Sequence, residues 1–152
     1  MQHASNSLIL IQQILKFYES CLEDIRSRYS LTGIEIKIIS FLHNNPGHDT
    51  VGDIAQMRML SKGNVSTGAE SLIQKGLLQR RQDPHDRRWV HLILLPAADP
   101  IIQEIEAAGA SFLEQLFDGF SAEEYEIYKN LNDRLAGNIR RGIAKRSDSH
   151  AR

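Results

Sequence analysis

A chain of 152 residues, 41% apolar and 24% charged, suits one domain of ordinary size with enough apolar material for a core, which argues against wholesale disorder. The single cysteine, Cys21, excludes an internal disulfide framework and a cysteine-rich zinc site. The formal net charge of −1 hides a strong segregation by region.

Leu8, Ile11, Leu15, Tyr18, Leu22 and Ile25 recur at steps of three and four, predicting a helix over 7–28. Its apolar run Leu8-Ile9-Leu10-Ile11 has no basic residue ahead of it and stops at Gln12-Gln13, so it reads as neither a signal peptide nor a membrane span. A cytoplasmic protein is expected. A second helix is predicted over 33–43, stopped by Asn44-Asn45-Pro46-Gly47 because proline cannot continue it. Thr50, with Asp53 three residues on, caps a short helix ending near Met57. Ser61 caps the next, over 62–75, whose inward stripe is Val65, Ala69, Leu72 and Ile73 and whose stop is Gly76. Strand-like runs at 77–82 and 89–95 flank the turn-rich 83–88 and predict a hairpin, with Trp89 packed at its base. Two long helices follow. One spans 97–117 with Ile101, Ile105, Ala108, Phe112 and Leu116 on one side. The other starts at the Ser121–Glu124 capping box and carries Tyr125, Tyr128, Leu131, Leu135, Ile139 and Ile143, with a polar, frayed tail from Lys145.

From Arg58 to His91 seven basic residues face three acids, whereas from Asp99 to Asp133 nine acids face Lys129 alone. The chain turns basic again from Arg134 onward. A near-neutral protein of this kind can present one basic face to a polyanion.

Two short helices joined by a few residues describe a helix-turn-helix, and the hairpin after them adds a wing. A helix fits the major groove of duplex DNA, where base edges carry a distinguishing code. The outward positions of the second helix are small or polar: Lys62, Gly63, Asn64, Ser66, Thr67, Gly68 and Ser71. Beside the capping Ser61, Asn64 suits two-point reading of adenine and Lys62 suits guanine or phosphate. On the wing, Arg88 suits the narrow minor groove, and Asp86, two residues earlier on the same face, can hold its guanidinium. Arg87 points toward phosphate or solvent, and Arg80-Arg81 is either a phosphate contact or a solvated strand end.

Leu60-Ser61-Lys62, Val65-Ser66, Leu72 and Lys75-Gly76-Leu77-Leu78, followed by Asp83-Pro84, Asp86-Arg87-Arg88, Leu92 and Leu94, resemble the MarR family of transcriptional regulators. The motifs lie in the central third, and the helix order matches along nearly the whole chain. The resemblance implies a mainly α (α+β) fold, a single domain over 1–152. It would have a winged-helix core at 31–96 and dimerisation helices at 7–28 and 97–144. It also implies a homodimer on a pseudo-palindromic operator, acting as a repressor relieved by a small ligand or oxidant. In the family, the arginine matching Arg88 enters the minor groove and the aspartate matching Asp86 braces it. Dimerisation has independent support, because the long terminal helices carry more apolar stripe than the rest of the chain can cover. Two-fold symmetry then sets the recognition helices about 34–36 Å apart, or a multiple of that.

Two positions depart from the family pattern. Thr67 stands where an arginine is common, followed by Gly68, which costs a helix about 1 kcal/mol relative to alanine. Leu95 stands where a threonine often caps the next helix. The missing arginine keeps a second reading open, a winged-helix dimer that no longer binds specific DNA and acts by ligand or protein contact.

Cys21 is a candidate redox thiol, set against a plain packing role among the acidic neighbours Glu19, Glu23 and Asp24. His3, His43, His48, His85, His91 and His150 lack ligand spacing for zinc and read as solvated or capping residues, so no metal or cofactor is expected. Tyr18, Tyr29, Phe41, Phe112 and Phe117 either line a cavity for a small apolar or aromatic effector or are core. With no Gly-rich phosphate loop, Gly-x-Ser-x-Gly elbow or His-Glu-x-x-His, an enzyme is not expected.

Overall fold

The computed structural model describes residues 2–150, and side chains from 6 to 146. The elements run α1 (Gln2–Cys21), α2 (Glu23–Tyr29), α3 (Gly33–Asn44), α4 (Val51–Arg58), α5 (Lys62–Gln74), β1 (Leu78–Gln82), β2 (Val90–Leu94), α6 (Asp99–Leu116) and α7 (Ala122–His150). A single 3-10 turn, Pro96–Ala98, precedes α6. The chain divides into two compact units, Met1–Phe112 and Leu113–Arg152.

In the first unit the predicted helix over 7–28 is two helices. The chain tightens at Leu22, whose amide donates to the Glu19 carbonyl at 3.1 Å, a three-residue bond in place of a four-residue one. The break turns Leu22 and Ile25 into the core, while Leu8, Ile11 and Leu15 stay about half exposed or more. Tyr18 and Phe17 meet Phe112 of α6 at ring separations of 5.1 and 5.3 Å. Tyr29 and Arg28 both donate to Glu104 of α6.

Two capping boxes set the middle helices. Thr32 and Glu35 exchange bonds at the start of α3, and Thr50 and Asp53 do so at the start of α4. Ile38, Ile39 and Phe41 of α3, Ile54 of α4, and Val65, Ala69 and Leu72 of α5 are the centre of the core, closed at the hairpin end by Leu78 and Leu92. Each of these side chains larger than Ala69 contributes about 1.5–3 kcal/mol by leaving water. Gly68 belongs to this contact. Expected on the outward face, it is buried, and a Cβ there would stand 2.8 Å from Ile38 Cδ1 and 3.3 Å from Ile34 Cγ2. The missing side chain lets α5 lie directly on α3.

Glu35 is only 1% exposed, and Lys75, the C-cap of α5, reaches both of its carboxylate oxygens at 2.9 Å. The same ammonium donates to the carbonyl of Ser30, whose left-handed backbone closes α2. Burial alone would raise the Glu35 carboxyl; bonds from Ser71, the Thr32 backbone and Lys75 outweigh it and hold the group below its ordinary 4.5.

β1 and β2 pair antiparallel, Leu78 opposite Leu94 and Gln82 opposite Val90. The strands are each shorter than predicted, and Trp89 is exposed beside the turn rather than packed at the base. Leu95 leads into the 3-10 turn, and α6 begins at Asp99 without the threonine cap.

The second unit holds the end of α6, a turn with Gly119 in the left-handed region, and α7. Ser121 and Glu124 exchange the capping-box bonds at 3.1 and 2.8 Å. Phe117 packs edge-on to Phe120 and Tyr125. The helix continues to His150, past the fraying expected from Lys145. Ile127, Leu131, Leu135, Ile139 and Ile143 are all about half exposed or more.

Candidate nucleic-acid interface

α4 and α5 are joined by Met59 and Leu60. Met59 adopts the left-handed conformation, φ 54°, that ends α4, with its amide on the Ala55 and Gln56 carbonyls. Leu60 then donates to Ala55, turning the chain sharply. Ser61 caps α5 by accepting from the Asn64 amide at 3.2 Å. The outward face so presented carries Lys62, Gly63, Asn64, Ser66 and Thr67, all exposed. Ser71, expected on that face, is half-buried and bonded to Glu35. Glu70 also borders the face, and Arg80 of β1 neutralises it at 2.7 Å. Arg80 is therefore committed to a partner within the fold, whereas Arg81 and Arg87 extend into solvent.

The hairpin tip is a dense hydrogen-bonded turn. Asp83 Oδ1 accepts the amides of His85 and Asp86 at 2.7 and 2.8 Å, the pattern by which an aspartate closes a turn over its own backbone. The Asp83 amide donates to the Trp89 carbonyl and the Trp89 amide to the Asp86 carbonyl, and the Gln82 side-chain amide donates to the Arg87 carbonyl. On this platform Asp86 accepts four bonds from Arg88: its backbone amide at 3.0 Å, Nε at 3.1 and 3.2 Å, and a terminal nitrogen at 2.7 Å. The Arg88 side chain nevertheless stays 87% exposed. The guanidinium holds the Asp86 carboxyl below its usual range, with the Arg88 amide and the Trp89 indole helping, and Asp86 raises Arg88 in return.

His91 of β2 lies between two carboxylates, Asp49 Oδ1 at 2.6 Å from Nδ1 and Asp83 Oδ2 at 3.1 Å from Nε2. This cluster was not legible in the linear pattern, because Asp49 precedes α4 and is brought to the wing by the fold, where the Leu92 amide also donates to its carbonyl. The Asp83-x-x-Asp86 spacing was the available signal for the turn.

A cavity of about 380 Å3 opens between α1, α2, α3 and α4, floored by Leu15, Tyr18, Leu22 and Ile36. Arg26, Lys37 and Arg58 line it as well, and Arg26 Nε and Ser40 Oγ are buried there without a hydrogen-bond partner. Of the aromatics singled out in the sequence, Tyr18 lines this space; Phe41 is core, Phe112 packs on Tyr18, and Tyr29 bonds Glu104. Phe117 packs within the second unit. Cys21 is half-buried at the end of α1. His43 pairs with Glu106 and His48 lies 3.9 Å from Asp53, while His85 is exposed. The side chains of His3 and His150 lie outside the described residues. No group of three or more His, Cys, Asp or Glu has metal-holding geometry among the described residues, and no described helix is long and apolar enough to cross a membrane.

The model of the MarR family matches residues 29–88, the stretch from the end of α2 to the wing tip. An uncharacterized HTH-type transcriptional regulator of Bacillus subtilis (strain 168), YsmB, is 23% identical over 141 residues, covering 93% of this chain and 96% of that one. Among solved structures, the MarR protein from Peptoclostridium difficile superposes with a TM-score of 0.78 at 19% identity, covering 88% of this chain and 87% of its own. A MarR-family transcriptional regulator from Silicibacter pomeroyi gives 0.75 at 18% identity, covering 88% and 89%. The winged fold, the matched central stretch and the relative of nearly equal length point one way: the chain has the MarR fold, and its stretch 29–88 is similar to the MarR family.

Proposed function

We propose that this protein binds double-stranded DNA sequence-specifically as a homodimer on a pseudo-palindromic operator, and acts as a repressor that a small molecule relieves. The observation that carries the reading is the wing: an exposed guanidinium is fixed by a bidentate aspartate at the tip of a hairpin adjoining an exposed, small and polar helix face. On this reading Lys62, Asn64, Ser66 and Thr67, after the capping Ser61, meet bases or phosphates in the major groove. Arg88, braced by Asp86, enters the minor groove, and Arg81 and Arg87 meet phosphate. Arg80 serves less directly, by cancelling the charge of Glu70 beside the groove. The chain is then one MarR-like domain, with 31–96 reading DNA and the helices of 7–28 and 97–144 pairing two copies in the cytoplasm.

Support for an effector comes from the α1–α4 cavity. Its apolar floor and three lining cations, set against Glu19 at the wall and with Arg26 also paired to Glu23, suit a small apolar or aromatic molecule with a negatively charged end, for which Arg26 Nε and Ser40 Oγ are ready donors.

Selection of bound duplexes from a random DNA pool, beside Arg88→Ala, tests the reading. The expected outcome is an inverted repeat whose affinity falls at least about tenfold in the variant, the size of one lost DNA contact. Weak binding without sequence preference, equal in both proteins, would instead indicate a module acting through ligand or protein contacts.

A further inference from the structure

His91 bonds a carboxylate through each ring nitrogen. A carboxylate only accepts, so each of these bonds needs an N–H, and a neutral imidazole has one. Both bonds exist together only in the imidazolium. What they join matters. Asp49 is the residue before the Thr50 cap of α4, and its carbonyl already takes the Leu92 amide at 2.8 Å. Asp83 is the residue whose other oxygen closes the turn that presents Asp86 to Arg88. A continuous chain of bonds therefore runs from the start of the helix-turn-helix, through one imidazole, to the guanidinium at the wing tip.

We propose that His91 is the positioning residue of the wing: protonated, it ties the hairpin tip to the loop ahead of α4 and aims Arg88, and on losing its proton it releases one of the two carboxylates and loosens the tip. The proposal rests on the DNA-binding reading above for its consequence, though not for its geometry. The charged groups around the imidazole are Asp49, His48 and Asp53 on the α4 side, Asp83, His85 and Asp86 at the turn, and Arg81 directly opposite in the strand register. Hydrogen bonds to two carboxylates outweigh the desolvation that opposes them and raise His91 above its ordinary 6.5, Asp49 first and Asp83 second. A raised value means the tie is complete below about pH 6.5 and lost as pH climbs through the shifted value.

The full-length protein carries the test in two arms. The first follows the His91 ring by NMR in the absence of DNA, with amide exchange at Arg88. Titration above the ordinary imidazole value, with Arg88 exchange rising across the same midpoint, is expected. The second measures affinity for the selected duplex between about pH 6 and 8.5 at fixed salt, the span in which histidine changes charge. Affinity should fall about tenfold, as for a single required proton. His91→Gln, which keeps one donor and one acceptor, should bind at pH 6 as the unaltered protein does at the high end, with the fall largely gone. Arg88→Ala should flatten the profile too, because His91 acts through that arginine; a merely structural histidine would leave this double dependence absent. A ring titrating at or below the ordinary value, or equal profiles in His91→Gln and the unaltered protein, overturns the proposal. If selection enriches no duplex, the DNA reading fails by itself, and the ring titration with Arg88 exchange still decides whether His91 holds the wing.

Discussion

Glu35 is the buried acid on which two helices converge, since it closes the capping box of α3 and takes bonds from Ser71 of α5 and from Lys75 at the end of that helix. Such a pair is weak as a source of stability yet costly to break, because the remaining carboxylate keeps its desolvation without its partner. Lys75→Ala is expected to lower unfolding stability by about 3 kcal/mol in urea titration, the low end of the range for a broken buried pair because the lysine is partly exposed. A loss under about 0.5 kcal/mol, the level of an ordinary surface change, would show that Glu35 is held by its other donors. The pH dependence has a definite sign. The Glu35 carboxyl is depressed in the fold, so its contribution is present above its ordinary 4.5 and disappears as pH falls through the lower folded value. Acid unfolding should therefore begin at a higher pH in Lys75→Ala than in the unaltered chain.

At the scale of elements, the helix-turn-helix was readable because its signals are local: Thr50 and Asp53, Ser61, and the Val65–Ala69–Leu72 stripe all act within one turn or two. So was the pair of Asp86 and Arg88, two residues apart on one extended face. The break at Leu22 was not, because the apolar spacing continues smoothly across it and only the packing of Leu22 and Ile25 demands the bend. Gly68 was misread for the same kind of reason. A glycine among polar residues looks outward, and its burial depends on how near α3 comes. His91 escaped because its two partners stand 42 and 8 residues away. The α3–α5 approach gives its own test. Gly68→Val adds three carbons where even one meets Ile38 and Ile34, and should cost about 1–3 kcal/mol in thermal or urea unfolding, as overpacking does. An unchanged midpoint would mean that the two helices can part without loss.

At the scale of the whole molecule, Leu8 and Leu15 of α1 and Leu135 and Ile139 of α7 are each at least 58% exposed. Exposure of that extent along two long helices fits a second copy of the chain better than solvent. If the proposed homodimer pairs through α7, the intact protein sediments at the mass of two chains and Leu135→Glu should shift it toward one, since an unpaired charge would enter an apolar interface. Retention of the double mass would place the interface elsewhere, with α1 the next element to alter.

The clamp at the wing tip bears on how binding answers to ionic strength. A solitary lysine such as Lys62 lowers the logarithmic salt slope by about one when removed, because each phosphate it neutralises sheds a counterion. Arg88 and Asp86 together carry no net charge, and the pair is already assembled with little rotamer freedom left to lose. The braced pair would thus act as a rigid wedge fitted by shape, less sensitive to the ions that govern the phosphate contacts of Arg81, Arg87 and Lys62. Affinity lost in the double variant Asp86→Ala with Arg88→Ala, which removes no net charge, should leave the slope nearly parallel to that of the intact protein, and the share of recognition assigned to the pair should grow as salt rises.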